Sequence, residues 1–148
     1  MADGSDNAIR LPAERRWALE LEALRQNDRE ERPHGWRLSP RAVETFIVGS
    51  GEREIPVEED GKKRGLRITR KLYGQDALVQ RAIVTLASDR ALLLVGEPGT
   101  AKSWLSEHLA AAISGDSLLA IQCSAGLTED QIRYTWNYAL LLAKALPN

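Results

Sequence analysis

The stretch Gly96-Glu97-Pro98-Gly99-Thr100-Ala101-Lys102-Ser103 constrains this 148-residue chain more than any other, because of what flanks it. Ala91-Leu92-Leu93-Leu94-Val95 is a continuous apolar run without helical alternation, ended by a glycine. It fits a strand buried on both faces of a parallel sheet. After Lys102, the residues Leu105, Leu109, Ala112 and Ile113 recur at helical spacing until Gly115, so a helix is expected to start within the loop itself. A glycine-rich turn between a buried strand and a helix N-terminus is a place built for an anion.

The residue types agree with that placement. From Gly96 to Ser103 the chain satisfies the P-loop pattern G-x-x-x-x-G-K-[ST], except that Ala101 stands at the second glycine. Successive N–H groups from Gly99 through Thr100, Ala101 and Lys102 to Ser103 can curl around a phosphate where no side chain crowds the turn, and the helix dipole adds positive charge there. Lys102 would lie along the β- and γ-phosphates of a nucleotide, Ser103 would complete the shell of a Mg²⁺ ion, and Pro98 would stiffen the loop. A turn that binds nothing has no need of Lys-Ser in the first helical turn. Glu97 is read as a solvated loop residue without a role.

Upstream, Asp76 to Ser88 carries Ala77, Leu78, Val79, Ala82, Ile83 and Leu86 as the apolar face of a helix, with Asp76 placed to cap it. Downstream, Ser117 to Cys123 fits a second strand, and Thr128-Glu129-Asp130-Gln131 opens a helix running to about Ala145. Strand, loop, helix, strand, helix is the opening of an α/β parallel-sheet domain. Residues 12 to 32 read as a charged helix with a stripe of Trp17, Leu21 and Leu24. Ser39-Pro40 caps a short helix; Asp60-Gly61 is a turn signal for a loose hairpin between Ile55-Pro56-Val57 and Leu66-Arg67-Ile68, which Pro56 restricts to an edge, within a segment that reads as a connector. The expected division is residues 1–68, a helical N-terminal region with a charged connector, and residues 69–148, the nucleotide module.

Gly96 to Ser103, taken with Leu72-Tyr73-Gly74-Gln75 and the helix between them, resembles the start of an AAA+ ATPase module. The variant loop G-x-P-G-x-A-K-[ST] is similar to that of the MoxR branch of the family, and the resemblance covers about residues 69 to 148. It implies a P-loop NTPase (AAA+) parallel-sheet core, class α/β, cut short and preceded by a small helical N-terminal region. It implies ATP and Mg²⁺ as ligands, with Tyr73, Gly74 and Gln75 close to the adenine. For the full-length form it implies a homo-oligomeric ring that remodels a client protein, often beside a partner with a von Willebrand factor A domain.

An ATP-hydrolysing P-loop enzyme also needs an acidic residue at the end of another apolar strand. After Ser103 the acidic residues Asp116, Glu129 and Asp130 lie in a turn and a helix start, and each reads as a turn or cap residue. No catalytic residue is therefore assigned. The chain is expected to be the front part of a longer protein that binds ATP without efficient hydrolysis by itself. The alternative is a non-catalytic nucleotide-binding regulatory or interaction module that signals through the Trp17 helix. A small-molecule kinase fits least, since it needs an acceptor pocket and a basic lid.

Charge and cysteine content narrow the partners. A formal net charge of −1 makes no electrostatic case for nucleic acid. The single cysteine, Cys123, excludes an intrachain disulfide and, with His34 and His108, does not make a metal site. His108, beside Glu107, is expected on a solvated helix face. Without a long apolar stretch or a leader-like N-terminus, the expectation is a cytoplasmic protein that does not engage a membrane.

Overall fold

Pro12, in extended conformation, is the N-cap of a four-residue helical turn, α1 (Ala13–Arg16), in the computed structural model, which describes residues 10–118 and 120. Trp17 leaves helical geometry at φ −115° and ψ 25°, and α2 (Ala18–Asn27) follows. The apolar stripe predicts one helix over residues 12 to 32, whereas the structure has two, the second ending early. Tertiary contacts explain both departures. The Trp17 ring packs against the core with the Lys71 ammonium 4.5 Å from its centre. Beyond Asn27, the buried Asp28 carboxylate accepts hydrogen bonds from the N–H of Ser39 at 2.7 Å and of Glu30 at 3.3 Å, which bends the chain back toward the next helix. Burial acts to raise the pKa of Asp28, but those hydrogen bonds and nearby Arg32 hold it below its ordinary value.

In α3 (Pro40–Val48) the Ser39 hydroxyl accepts from the Ala42 N–H and proline occupies the first turn, as the sequence predicts. Its apolar face of Ala42, Val43, Phe46 and Ile47 is buried. Gly49 ends it at φ 89°, and a Cβ there would stand 3.0 Å from both the Arg70 nitrogen and the Ile68 carbonyl oxygen. Glycine is required by this close approach.

The strands β1 (Ile55–Glu59) and β2 (Lys62–Leu66) pair antiparallel with Ile55 opposite Leu66. Asp60 and Gly61 turn between them at φ 51° and 74°, the signature of a type I′ hairpin. The hairpin is more than a loose connector: Ile55 and Val57 are buried in the core. On the other side of β1, Gln26 accepts from the Glu58 N–H at 3.0 Å and donates to its carbonyl at 3.3 Å, while Asn27 donates to the Pro56 carbonyl at 2.6 Å.

Two further helices complete the described residues, α4 (Asp76–Ala87) and α5 (Lys102–Ile113). Val79, Ala82 and Ile83 of α4 and Leu105, Leu109 and Ala112 of α5 join the same core as α2, α3 and β1, so side chains from both sides of residue 68 pack together.

The parallel-sheet core does not form among the described residues, whose one sheet is the two-stranded hairpin. Residues 91–95 have no ladder partner among the described residues; Leu92 and Leu94 lean on the core, whereas Leu93 and Val95 are each 85% exposed. The reason is geometric. A strand is buried on both faces only where neighbours pair with it and further layers cover it, and here the packing lies on one side. The second expected strand is described only at 117, 118 and 120, and the helix expected to reach about Ala145, like Cys123, lies outside the described residues.

Candidate functional site

The helix α5 begins inside the loop, as the sequence predicts, with Lys102 and Ser103 as its first two residues. Ala101 is the N-cap and takes the left-handed conformation, φ 58° and ψ 22°, two residues after Gly99 at φ 82°. An L-residue in that region costs about 1–2 kcal/mol, and it does so at the position where the P-loop pattern carries glycine. Such left-handed steps turn successive N–H groups into a concavity.

No side chain caps α5, and its first backbone hydrogen bond runs from Leu105 N to the Ala101 carbonyl at 2.9 Å. The N–H groups of residues 99–104 consequently have no acceptor among the described residues. The same loop lines an open concavity of about 550 Å³, with Gly96, Pro98, Gly99, Thr100, Ala101, Lys102, Ser103 and Trp104 around it. Unmet donors at a helix N-terminus, with a lysine and an exposed serine beside them, fit a polyphosphate and the Mg²⁺ it carries. Among the described residues no group of three His, Cys, Asp or Glu side chains is placed to hold a metal ion by itself.

Lys102 is folded back over this loop. Its Nζ donates to the Gly96 carbonyl at 2.8 Å, the Glu97 carbonyl at 2.5 Å and the Thr100 hydroxyl at 2.9 Å. The Thr100 hydroxyl in turn donates to the Glu97 carbonyl at 2.8 Å.

The turn holding Tyr73, Gly74 and Gln75 lies just before α4. Tyr73 is 74% exposed, Gly74 has φ 72°, and Gln75 is the N-cap of α4 without a side-chain cap bond. Arg70 spans the turn: it pairs with the Asp76 carboxylate, donates to the Leu72 carbonyl at 2.8 Å and lies 5.4 Å from the centre of the Tyr73 ring. Asp76, expected to cap α4, points at Arg70 instead, because a charged partner outbids the exposed helix end. Among the described residues no hydrogen bond joins Tyr73, Gly74 or Gln75 to the loop.

What ties the two segments is a residue the sequence reading passed over. Trp104, in the first turn of α5, donates from Nε1 to the Lys71 carbonyl at 2.9 Å, two residues before Tyr73. Its ring lies 4.4 Å from that of His108 and 5.0 Å from the Arg10 guanidinium. Lys71 is itself held: its Nζ, with the side chain 1% exposed, donates to Glu20 at 2.6 Å and to the Thr69 carbonyl at 2.8 Å, and it lies 4.1 Å from the Phe46 ring centre. Burial pushes the pKa of Lys71 down, and Glu20 opposes that shift. No local spacing signals a contact between residues this far apart in sequence.

His108 is the clearest departure from expectation at the site. It is buried rather than solvated, with Nδ1 2.7 Å from the Trp104 carbonyl and Nε2 without a partner among the described residues. Burial holds its pKa below the ordinary histidine value, with Lys71 and Arg10 pushing the same way against Trp104 and Glu107. The α5 face toward α3 reaches further round the helix than the leucine stripe indicates, and it takes His108 with it.

A family model for the AAA domain of the dynein-related subfamily matches residues 91–145, starting at the run that leads into the loop. The match supports an AAA+ ATPase origin for this segment, hence a P-loop NTPase class and an ATPase-type, nucleotide-binding function. The chain is also 47% identical over 142 residues to the uncharacterized protein YehL of Escherichia coli (strain K12). That alignment takes in 96% of this chain and 36% of YehL, so the chain spans about a third of the length of the curated relative it matches. No solved structure matches the chain.

Proposed function

We propose that this chain is the ATP-binding part of a MoxR-like AAA+ ATPase whose whole protein couples ATP hydrolysis to the remodelling of a partner protein. The observation that carries the proposal is the start of α5, where N–H groups without an acceptor among the described residues belong to the same loop, with Lys102 and Ser103, that lines one concavity. The backbone of Gly99 to Ser103 takes the phosphates, Lys102 spans the β- and γ-phosphates, and the Ser103 hydroxyl is a ligand of Mg²⁺. Tyr73, Gly74 and Gln75 line the adenine end, on a turn that Arg70 holds in shape. A ring of subunits and a client or von Willebrand factor A-domain partner belong to the whole protein under this reading.

The test is titration of the chain with fluorescent ATP and Mg²⁺, with phosphate release followed on the same sample. Saturable binding that Lys102→Ala abolishes is the expected result. Unchanged ATP affinity in Lys102→Ala would show that the loop is not a nucleotide site. Phosphate release by the chain alone would mean that it carries a catalytic carboxylate unassigned above.

A further inference from the structure

Lys71 is tied to three helices: its N–H donates to the Ile47 carbonyl of α3 at 2.9 Å, its Nζ donates to Glu20 of α2 at 2.6 Å, and its carbonyl accepts from Trp104 Nε1 of α5 at 2.9 Å. A residue held through both its main chain and its side chain has little freedom left, so this carbonyl is a fixed point in the fold. Trp104 is held as firmly. Its ring lies 4.4 Å from that of His108 and 5.0 Å and 5.9 Å from the guanidinium groups of Arg10 and Arg16, which aims the indole N–H at Lys71.

The two ends of this bond belong to different parts of the candidate site. Trp104 directly follows Lys102 and Ser103 and lines the concavity of the loop. Lys71 lies two residues before Tyr73, on the segment that Arg70 braces through Asp76 and the Leu72 carbonyl. Among the described residues no other hydrogen bond joins residues 69–76 to residues 96–104. A nucleoside triphosphate that lies along both segments uses the distance between them, whereas tripolyphosphate uses the loop alone. Whatever fixes that distance beforehand lowers the cost of binding the first ligand and leaves the second unaffected.

We propose that Trp104 is a positioning residue for a nucleotide: its indole N–H, fixed on the Lys71 carbonyl, sets the spacing between the phosphate loop and the turn of Tyr73, Gly74 and Gln75, and so favours a nucleoside triphosphate over a bare polyphosphate. This role rests on the nucleotide reading above and adds to it the residue that joins the two ends of the site. The backbone N–H groups of the loop do not depend on the bond.

The experiment is calorimetric titration of the full chain with ATP and with tripolyphosphate, both in the presence of Mg²⁺. Two variants are compared with the unsubstituted chain: Trp104→Phe, which keeps an aromatic ring and deletes the donor, and a chain with benzothienylalanine at position 104, which keeps the bicyclic shape and puts sulfur where the N–H was. In both, the dissociation constant for ATP should rise about fivefold, the effect of one hydrogen bond, while that for tripolyphosphate stays within about twofold. A defect of folding raises both constants alike, so their ratio isolates positioning. An unchanged ratio in variants of a chain that prefers ATP would overturn the role of Trp104 and leave the nucleotide reading standing. A ratio lost in Trp104→Phe but kept with benzothienylalanine would assign the effect to ring volume and overturn that role too. An unsubstituted chain that binds neither ligand would refute the nucleotide reading, and the positioning role would fall with it.

Discussion

Replacing Glu20 by Gln should destabilise the folded chain by about 3 kcal/mol, since a buried cation that loses its partner costs about 3–5 kcal/mol and Lys71 keeps other contacts. The Glu20 and Lys71 side chains are 9% and 1% exposed, and their 2.6 Å bond joins α2 to the segment before α4. What remains after the substitution is the neutral amide oxygen of residue 20, the Thr69 carbonyl at 2.8 Å and the faces of Phe46 and Trp17 at 4.1 Å and 4.5 Å, which places the loss toward the lower end. Lys71→Met should cost a similar amount, because it strands the Glu20 carboxylate. The double substitution Glu20→Met with Lys71→Met should recover most of the loss, because both desolvation penalties go together. Urea unfolding followed by tryptophan fluorescence measures this directly. With a slope of roughly 1–3 kcal/mol per molar, each single change should move the midpoint by about 1–3 M. The pH dependence gives a second reading. The folded pKa of Lys71 lies below the unfolded value, so between the two the unfolded chain binds more protons and stability rises with pH. The penalty is fully present below the folded pKa and disappears above about 10.4, the unperturbed lysine value. Glu20→Gln removes a raising influence, so the window should reach to lower pH. Singles that each cost under about 1 kcal/mol, or a double whose cost equals their sum, would show that the pair is solvated and uncoupled, against the geometry above.

Other expectations concern single sites. His108 has a lowered pKa in the folded chain, so stability should fall as pH drops through about 6.5 toward that value and then level off, with a slope of at most about 1.4 kcal/mol per pH unit. Urea midpoints of His108→Gln should lack this slope, and persistence of the slope would assign it to another group. Ala101→Gly should relieve the left-handed alanine and raise stability by roughly 0.5–1 kcal/mol, after the entropy glycine adds to the unfolded chain. A lower melting temperature would contradict the conformation assigned to residue 101. Gly49→Ala should cost more than about 2 kcal/mol, since its Cβ would press on the Arg70 backbone, whereas Gly61→Ala, with open space around it, should cost about 1 kcal/mol. Equal melting temperatures for the two would show that the approach of residues 68–70 to α3 is looser than described.

Local chemistry made much of this molecule legible. Ser39-Pro40 caps α3, Asp60-Gly61 tips the hairpin, and α5 starts at Lys102, because in each case the deciding contacts lie within a few residues. Where contacts are distant, the sequence is silent. The break at Trp17 depends on Lys71, the end of α2 depends on Ser39, and the burial of His108 depends on Phe46. The run 91–95 shows a different limit: its apolar residues state that a strand wants burial on both faces but not where its neighbours come from. At the candidate site, the loop's residue types pointed to a phosphate, while the Trp104 bond to Lys71 needed coordinates to be seen.

The hairpin and the run 91–95, both extended backbone among the described residues, are treated in opposite ways. Along β1, the amides of Gln26 and Asn27 occupy the hydrogen-bonding groups that a third strand would use, and β2 presents Lys62, Lys63 and Arg64 to solvent, charges that discourage edge pairing. Residues 91–95 carry no charge, and among the described residues no group caps or pairs with their backbone. Among the described residues the hairpin is therefore closed to a further strand and the backbone ahead of Gly96 is not, so a strand added there would extend a sheet up to the entrance of the loop.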